Sequence, residues 1–285
     1  MFRILALLLL PVICLAQVNS NGEKPTGELL SNEIAPNDMK RNASFNLDEI
    51  KVRWKKAALE NCTGVPCVTT PVFTCGTSTV SDIDDNAYNT VLIGTQCWTQ
   101  SNLKVTRYND GTLIPVLDTT VSTFPYSTQG ARIVTSPSNL STYGYLYNGY
   151  AAKGIVTTGS TLYKNLCPAG WHVPSNDEWT SLTNTLGGLS MTGKKMKSTV
   201  LWTSLPGITA DNLSGFTALP GHRWEFPAGM LSNQSYTYAA FFWSAEQDNT
   251  DPSKAWARYL GYNSNDVGSI SLVKDSNMSV RCLKD

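Results

Sequence analysis

The pattern of apolar and polar positions changes character several times along the chain. An unbroken apolar run from Ile4 to Leu15 follows Arg3. It is too short to span a bilayer comfortably, and the small residue Ala16 follows it, which predicts an export signal over residues 1–16. From Gln17 to about Ser44 the sequence is polar, rich in Asn, Ser, Glu, Pro and Gly, and predicts a flexible leader over 17–45. Leu47, Ile50, Trp54 and Ala57 then fall at helical spacing behind Asn46, a capping residue, so residues 47–60 predict an amphipathic helix. Lys51, Arg53, Lys55 and Lys56 form its solvated face.

Further on, Thr79–Ile83 and Tyr88–Ile93 are β-prone runs separated by Asp84, Asp85 and Asn86, which reads as a hairpin. Ser175 and Glu178 form a capping-box signature, Trp179, Leu182 and Leu186 follow at helical spacing, and Gly187 and Gly188 stop the run. After it come short β-prone pieces, 215–219, 222–226, 239–244, 255–262, 270–273 and 278–283, with frequent turns. The expectation is an α+β domain with few helices and a loop-rich β region.

Composition narrows the function classes. With 22 Lys plus Arg against 22 Asp plus Glu there is no charge surplus to release counterions from phosphate, so nucleic acid is not an expected partner. The 8 Trp, 12 Tyr and 8 Phe suffice for a sizeable core. No stretch after the signal is long enough for a membrane span. Removing Cys14 with the signal leaves Cys62, Cys67, Cys75, Cys97, Cys167 and Cys282, an even set in an exported chain, so disulfides are expected. No C-x-x-C occurs, and His172 and His222 lack partners at ligand spacing, so neither a metal nor another cofactor is expected.

Two near-motifs are set aside on their chemistry. Asp82, Asp84 and Asn86 alternate as in a calcium loop, but Ala87 replaces the turn glycine and Ile93 the bidentate Glu. Gly188, Gly193 and Lys194 approximate a phosphate-binding loop, but Lys195 stands where Ser or Thr should hold magnesium, and a helix precedes where a strand is needed. Nucleophile chemistry is equally thin. There is no G-x-S-x-G, His172 and His222 read as structural, and the carboxylates Glu178, Glu225 and Glu246 cannot be placed across a sugar from spacing alone. The chain is not expected to be an enzyme.

The order of motifs carries a resemblance. The run 79–94, then Gln96-Cys-Trp, Asn102-Leu, Arg107-Tyr-Asn-Asp-Gly-Thr, Tyr143-Gly-Tyr-Leu-Tyr-Asn, Leu166-Cys-Pro-Ala-Gly-Trp-His-Val-Pro-Ser, Gly215-Phe-Thr-Ala-Leu-Pro-Gly, Phe242-Trp-Ser-Ala and Ser279-Val-Arg-Cys resemble the Fibrobacter succinogenes major paralogous domain over about residues 75–285. Local departures occur at Asp84-Asp85-Asn86, Thr99-Gln100-Ser101 and Gly149, where that family commonly has Trp. The resemblance implies a C-type-lectin-like layout, in the branch that includes formylglycine-generating enzymes, with a disulfide-stapled β region. The expected organisation is a signal (1–16), a leader (17–45), a helix and cysteine linker (46–74) and the domain (75–285).

Within that layout Cys167 pairs best with Cys282, with Cys75–Cys97 and Cys62–Cys67 as the remaining pairs among 15 possible arrangements. The late segment is dense in the residue types of recognition loops: Tyr236, Tyr238, Asp248, Asn249, Tyr262, Asn263, Asn265 and Asp266. These are the expected ligand contacts of an exported, secreted or cell-surface, recognition or adhesion module for polysaccharide or a surface protein. The alternative is a disulfide-stabilised surface or matrix component that contacts its own kind.

Overall fold

The computed structural model describes residues 72–117, 129–133, 137–153, 164–225 and 236–285. The expected signal, leader, 47–60 helix and Cys62–Cys67 pair lie outside them. Within the unit Phe73–Asp285, eleven strands and four helices are described: β1 (Thr79–Ser81), β2 (Ala87–Ile93), β3 (Gln96–Thr99), β4 (Arg132–Ile133), α1 (Pro137–Tyr143), β5 (Leu146–Asn148), α2 (Gly149–Ala152), β6 (Trp171–His172), α3 (Asn176–Thr185), α4 (Leu189–Met196), β7 (Ala239–Gln247), β8 (Lys254–Gly261), β9 (Gly268–Val273), β10 (Asn277–Met278) and β11 (Leu283–Lys284). The architecture is mostly sheet with few helices.

Three antiparallel sheets carry the fold, with strand orders β1-β2-β3-β11-β6, β10-β5-β4 and β7-β8-β9. The β1–β2 hairpin turns where the charged triplet predicts, and Asp82 explains the turn. Its Oδ1 accepts the backbone N–H groups of Asp84 (2.9 Å) and Asn86 (3.0 Å), and its Oδ2 accepts the Tyr88 hydroxyl at 2.6 Å. Asp84 Oδ2 accepts instead from Thr106. The half-motif for calcium is thus an Asx turn tied to the neighbouring loop.

α3 starts on the expected box: Glu178 N–H donates to Ser175 Oγ at 3.3 Å, and Ser175 N–H donates back to Glu178 Oε2 at 2.8 Å. Trp179 and Leu182 on its inner face join Trp98, Phe216, Phe242 and Leu260 in one buried cluster. A second cluster holds Tyr88, Tyr147, Trp171, Trp243, Met278 and Val280. The Gly188–Lys194 segment is not a phosphate loop. Its residues open α4, whose Gly193 meets the β8–β9 turn so closely that a Cβ there would lie 2.0 Å from the Asp266 carbonyl oxygen. Lys194 pairs with Asp211 at 3.2 Å.

Cys75–Cys97 and Cys167–Cys282 are both disulfide-bonded. The first fastens the segment before β1 to β3, and the second fastens the loop before β6 to the residue preceding β11. Between Val280 and Cys282, Arg281 is 1% exposed. Its guanidinium donates to Asn102 Oδ1 (2.7 Å) and to the carbonyls of Thr99 (2.9 Å), Phe216 (2.8 Å) and Thr217 (3.0 Å), and it lies over the rings of Phe216 and Phe242. No helix among the described residues is long and apolar enough to cross a membrane.

Candidate functional site

The β7–β8–β9 sheet sets the geometry of the late residues. Strand alternation points Phe241, Trp243, Ala255 and Ala257 into one core cluster and Phe242 and Leu260 into the other. On the Leu260 face, α3 covers Phe242 through Trp179, whose ring centroid is 5.9 Å from that of Phe242. Arg258, two residues back, marks the edge of this cover: its guanidinium donates to the Asn176 carbonyl at 3.2 Å and to Ser269 Oγ. Trp256 is the next residue on the same face, past the end of the helix, and is only half-buried.

Beside Trp256 the ladder is interrupted. Trp243 pairs with Ala257 and Gln247 with Ala255, so four steps along β7 oppose two along β8. The extra residues have other partners: Ala245 N–H donates to the Pro174 carbonyl at 2.8 Å, and Glu246 N–H to Ser244 Oγ at 3.3 Å. A bulge of this kind bends a strand and re-aims its side chains. Beside it lies a depression of about 640 Å³ lined by Lys153, Ala245, Glu246, Gln247, Asn249 and Trp256.

The lining is polar around one indole. Gln247 Oε1 accepts from Lys274 Nζ at 2.7 Å, which fixes the amide and leaves its Nε2 group to donate. Lys274 lies against the backbone of Gly149, where a Cβ would be 2.9 Å from the Lys274 Cα. Glycine at this position therefore permits the approach. Lys153, at the C-terminal cap of α2, has its ammonium pKa lowered by burial, with the Glu246 carboxylate pulling the other way. The same carboxylate acts on Arg258. Glu246 thus sits among positive groups without a hydrogen-bonded ion pair to any described residue.

The eight residues expected to contact ligand divide between the two ends of this sheet. Asp248 and Asn249 are at the bulged end. Asn249 lines the depression, whereas Asp248 holds the turn: it accepts from Ser271 Oγ, Thr250 Oγ1 and Thr250 N–H, bonds that keep its carboxyl at about 2. Tyr236, Tyr238, Tyr262, Asn263, Asn265 and Asp266 are at the other end, where β7 begins and β8 ends. β7 has nine residues, so the two groups are separated by roughly 25 Å of strand.

At that far end Tyr236 stacks on Tyr143 (5.0 Å between centroids) and Tyr238 lies against Tyr262 (4.6 Å). Asn263 packs its side chain under Gly261. Asn265 ties the turn to the 207–209 loop, accepting from Thr209 N–H at 3.1 Å and donating to the Gly207 carbonyl. The Asp266 backbone packs on Gly193.

Trp256, Lys153, Glu246 and Gln247 were not among the expected contacts. The signal available for Trp256 was its place opposite Ala255 and Ala257 in a strict alternation, which puts a large ring on the side away from those small core residues. The two histidines also differ from each other. His172 bridges two carboxylates, with Nδ1 2.5 Å from Asp285 and Nε2 2.9 Å from Glu178. His222 is 1% exposed at φ 65°, and neither ring nitrogen has a hydrogen-bond partner among the described residues. Among the described residues no three His, Cys, Asp or Glu side chains gather as a metal site.

Comparison with known proteins adds one match. The family model of the Fibrobacter succinogenes major domain matches residues 91–284, which includes every residue lining the depression. No curated protein and no solved structure matches the chain.

Proposed function

The chain belongs to the Fibrobacter succinogenes major domain family, and from that premise we propose that it is an exported, extracellular recognition module. Its β-rich, lectin-like frame presents a ligand site and does no covalent chemistry. One observation carries the reading: beside the bulge in β7 lies a depression lined by an indole, a carboxylate, two amides and an ammonium. Its volume lies within the ~300–1,000 Å³ that small-ligand sites occupy, and its lining is more polar than is usual for them. Polysaccharide and surface protein both fit an adhesion role. Two disulfides in a chain that opens on an export-like signal support a place outside the cell.

The test is a combined glycan and protein array probed with the wild-type chain and with the Trp256→Ala/Asn249→Ala double variant. Sedimentation velocity of each sample accompanies it. Specific ligands retained by the wild type and lost by the variant are the expected result. Absence of any ligand, together with concentration-dependent self-assembly, would establish the matrix-component alternative instead.

A further inference from the structure

We infer that the ligand of the β7 depression is a neutral hexopyranose unit of a polysaccharide, stacked on Trp256. This rests on the depression being the binding site and adds the chemical class of what it binds. Three features argue for it.

The first is the mixture of hydrogen-bonding groups. Gln247, with its oxygen fixed by Lys274, offers donors. Glu246 offers only acceptors, Lys153 only donors, and Asn249 offers both. A sugar hydroxyl donates one bond and accepts others, so vicinal hydroxyls satisfy a donor and an acceptor side chain together. A lipid chain would leave all of these groups unpaired, at about 1–3 kcal/mol for each that is buried.

The second feature is the indole. The C–H face of a pyranose is apolar while its rim is polar, which suits a depression where Trp256 lines the wall together with Lys153, Glu246, Gln247 and Asn249. The third is charge. Lys153 and Glu246 line the same depression with opposite signs, and Lys274 is occupied by Gln247 and the Pro252 carbonyl at 2.7 Å each. An acidic sugar on Lys153 would face the Glu246 carboxylate, and a basic one on Glu246 would face the Lys153 ammonium. An uncharged ring uses both without repulsion, whereas an acidic one sets the attraction of Lys153 and Lys274 against the Glu246 carboxylate.

The experiment is titration calorimetry of the wild-type chain with hits from an oligosaccharide array that carries neutral and uronate hexasaccharides in equal number. It is run at about 0.05 M and about 0.5 M NaCl, across which ionic attraction is strongly screened. The expected ligand is neutral, with the same affinity at both salt concentrations. Trp256→Ala weakens it about tenfold or more, Trp256→Phe retains most of the affinity, and Glu246→Gln and Lys153→Met each weaken it. Far-ultraviolet circular dichroism and melting of each variant check that the fold persists.

A uronate ligand whose binding falls with salt, improves in Glu246→Gln and drops in Lys153→Met would overturn the neutral ring while leaving the depression as the site. No saccharide hit, with a protein ligand on the array that the Trp256→Ala/Asn249→Ala variant loses, would overturn the sugar and keep the site. Saccharide binding that all of these variants retain would overturn both.

Discussion

At the scale of single residues, Arg281 and the two histidines carry the most consequential chemistry outside the depression. Among the described residues Arg281 has no carboxylate partner. Burial alone pulls its pKa down, yet its donors meet three backbone carbonyls and Asn102 Oδ1, and a guanidinium surrounded by acceptors stays charged. Arg281→Met would strand those oxygens together. Urea unfolding should show a loss of about 1–3 kcal/mol for each buried acceptor left unpaired, and a total loss below ~1 kcal/mol would mean that the network does not hold the core. His172 gives a pH dependence. Burial lowers its pKa, but hydrogen bonds to Asp285 and Glu178 raise it above the ordinary 6.5. For Glu178, burial raises the pKa, but bonds from Ser175 and His172 take it below the ordinary 4.5. The His172 contribution to stability is therefore complete below about 6.5 and lost as pH rises through the raised folded value. The Glu178 contribution is present above about 4.5 and lost on acidification. His222 acts oppositely to His172: burial, then the Arg223 charge, depress it to about 4, so the unfolded chain takes up its proton first and stability falls as pH drops below 6.5. Melting temperatures of wild type and His172→Asn, compared from pH 5.5 to 8.5, should show the wild type losing more on the alkaline side. Parallel curves would remove the carboxylate clamp from the account.

At the scale of elements, the local signals that were legible are those whose physics is local. The capping box of α3 and the Asx turn of the first hairpin each depend on residues within four positions of one another, so their spacing in sequence is their geometry. Ser175→Ala should cost about 1 kcal/mol for the lost cap, measurable by thermal or urea unfolding. The disulfides act over longer reach. Their separations of 22 and 115 residues give chain-entropy contributions of about 3 and about 4–5 kcal/mol. A Cys167→Ser/Cys282→Ser variant should accordingly unfold at lower urea than Cys75→Ser/Cys97→Ser, and the reverse order would argue that native packing, not chain closure, dominates. The strands expected at 215–219 and 222–226 are, over the described residues, instead irregular segments making single bridges, Lys197 with Ala218, His222 with Ala240 and Trp224 with Asn277, and positive φ at Thr217 (56°) and His222 (65°) breaks the extended run. Their β propensity is real, but their partners are isolated residues of distant segments, which no local pattern encodes. The β7 bulge was illegible for the same reason. Within it Ala245 takes the Pro174 carbonyl as partner, a contact between residues 71 positions apart.

At the scale of the whole molecule, the Tyr- and Asn-rich composition drew together residues from the two ends of one sheet. Composition records which side chains are present, whereas a nine-residue strand separates those at its start from those at its end. Tyr236, Tyr238 and Tyr262 pack in ring pairs at one end, and Asn265 is engaged in holding a neighbouring loop. The open chemistry is at the other end, on residues that read as ordinary strand in the sequence: Trp256 inside an alternating run, and Lys153 after a four-residue helix too short to signal itself. The central claim is that ligand is bound at the bulged end. Backbone hydrogen exchange with and without a saturating array-identified ligand tests it most directly. Slowed exchange confined to residues 244–249 and 255–257 and the neighbourhood of Lys153 is the predicted result, and protection centred instead on Tyr236–Tyr238 and Tyr262–Asp266 would contradict it.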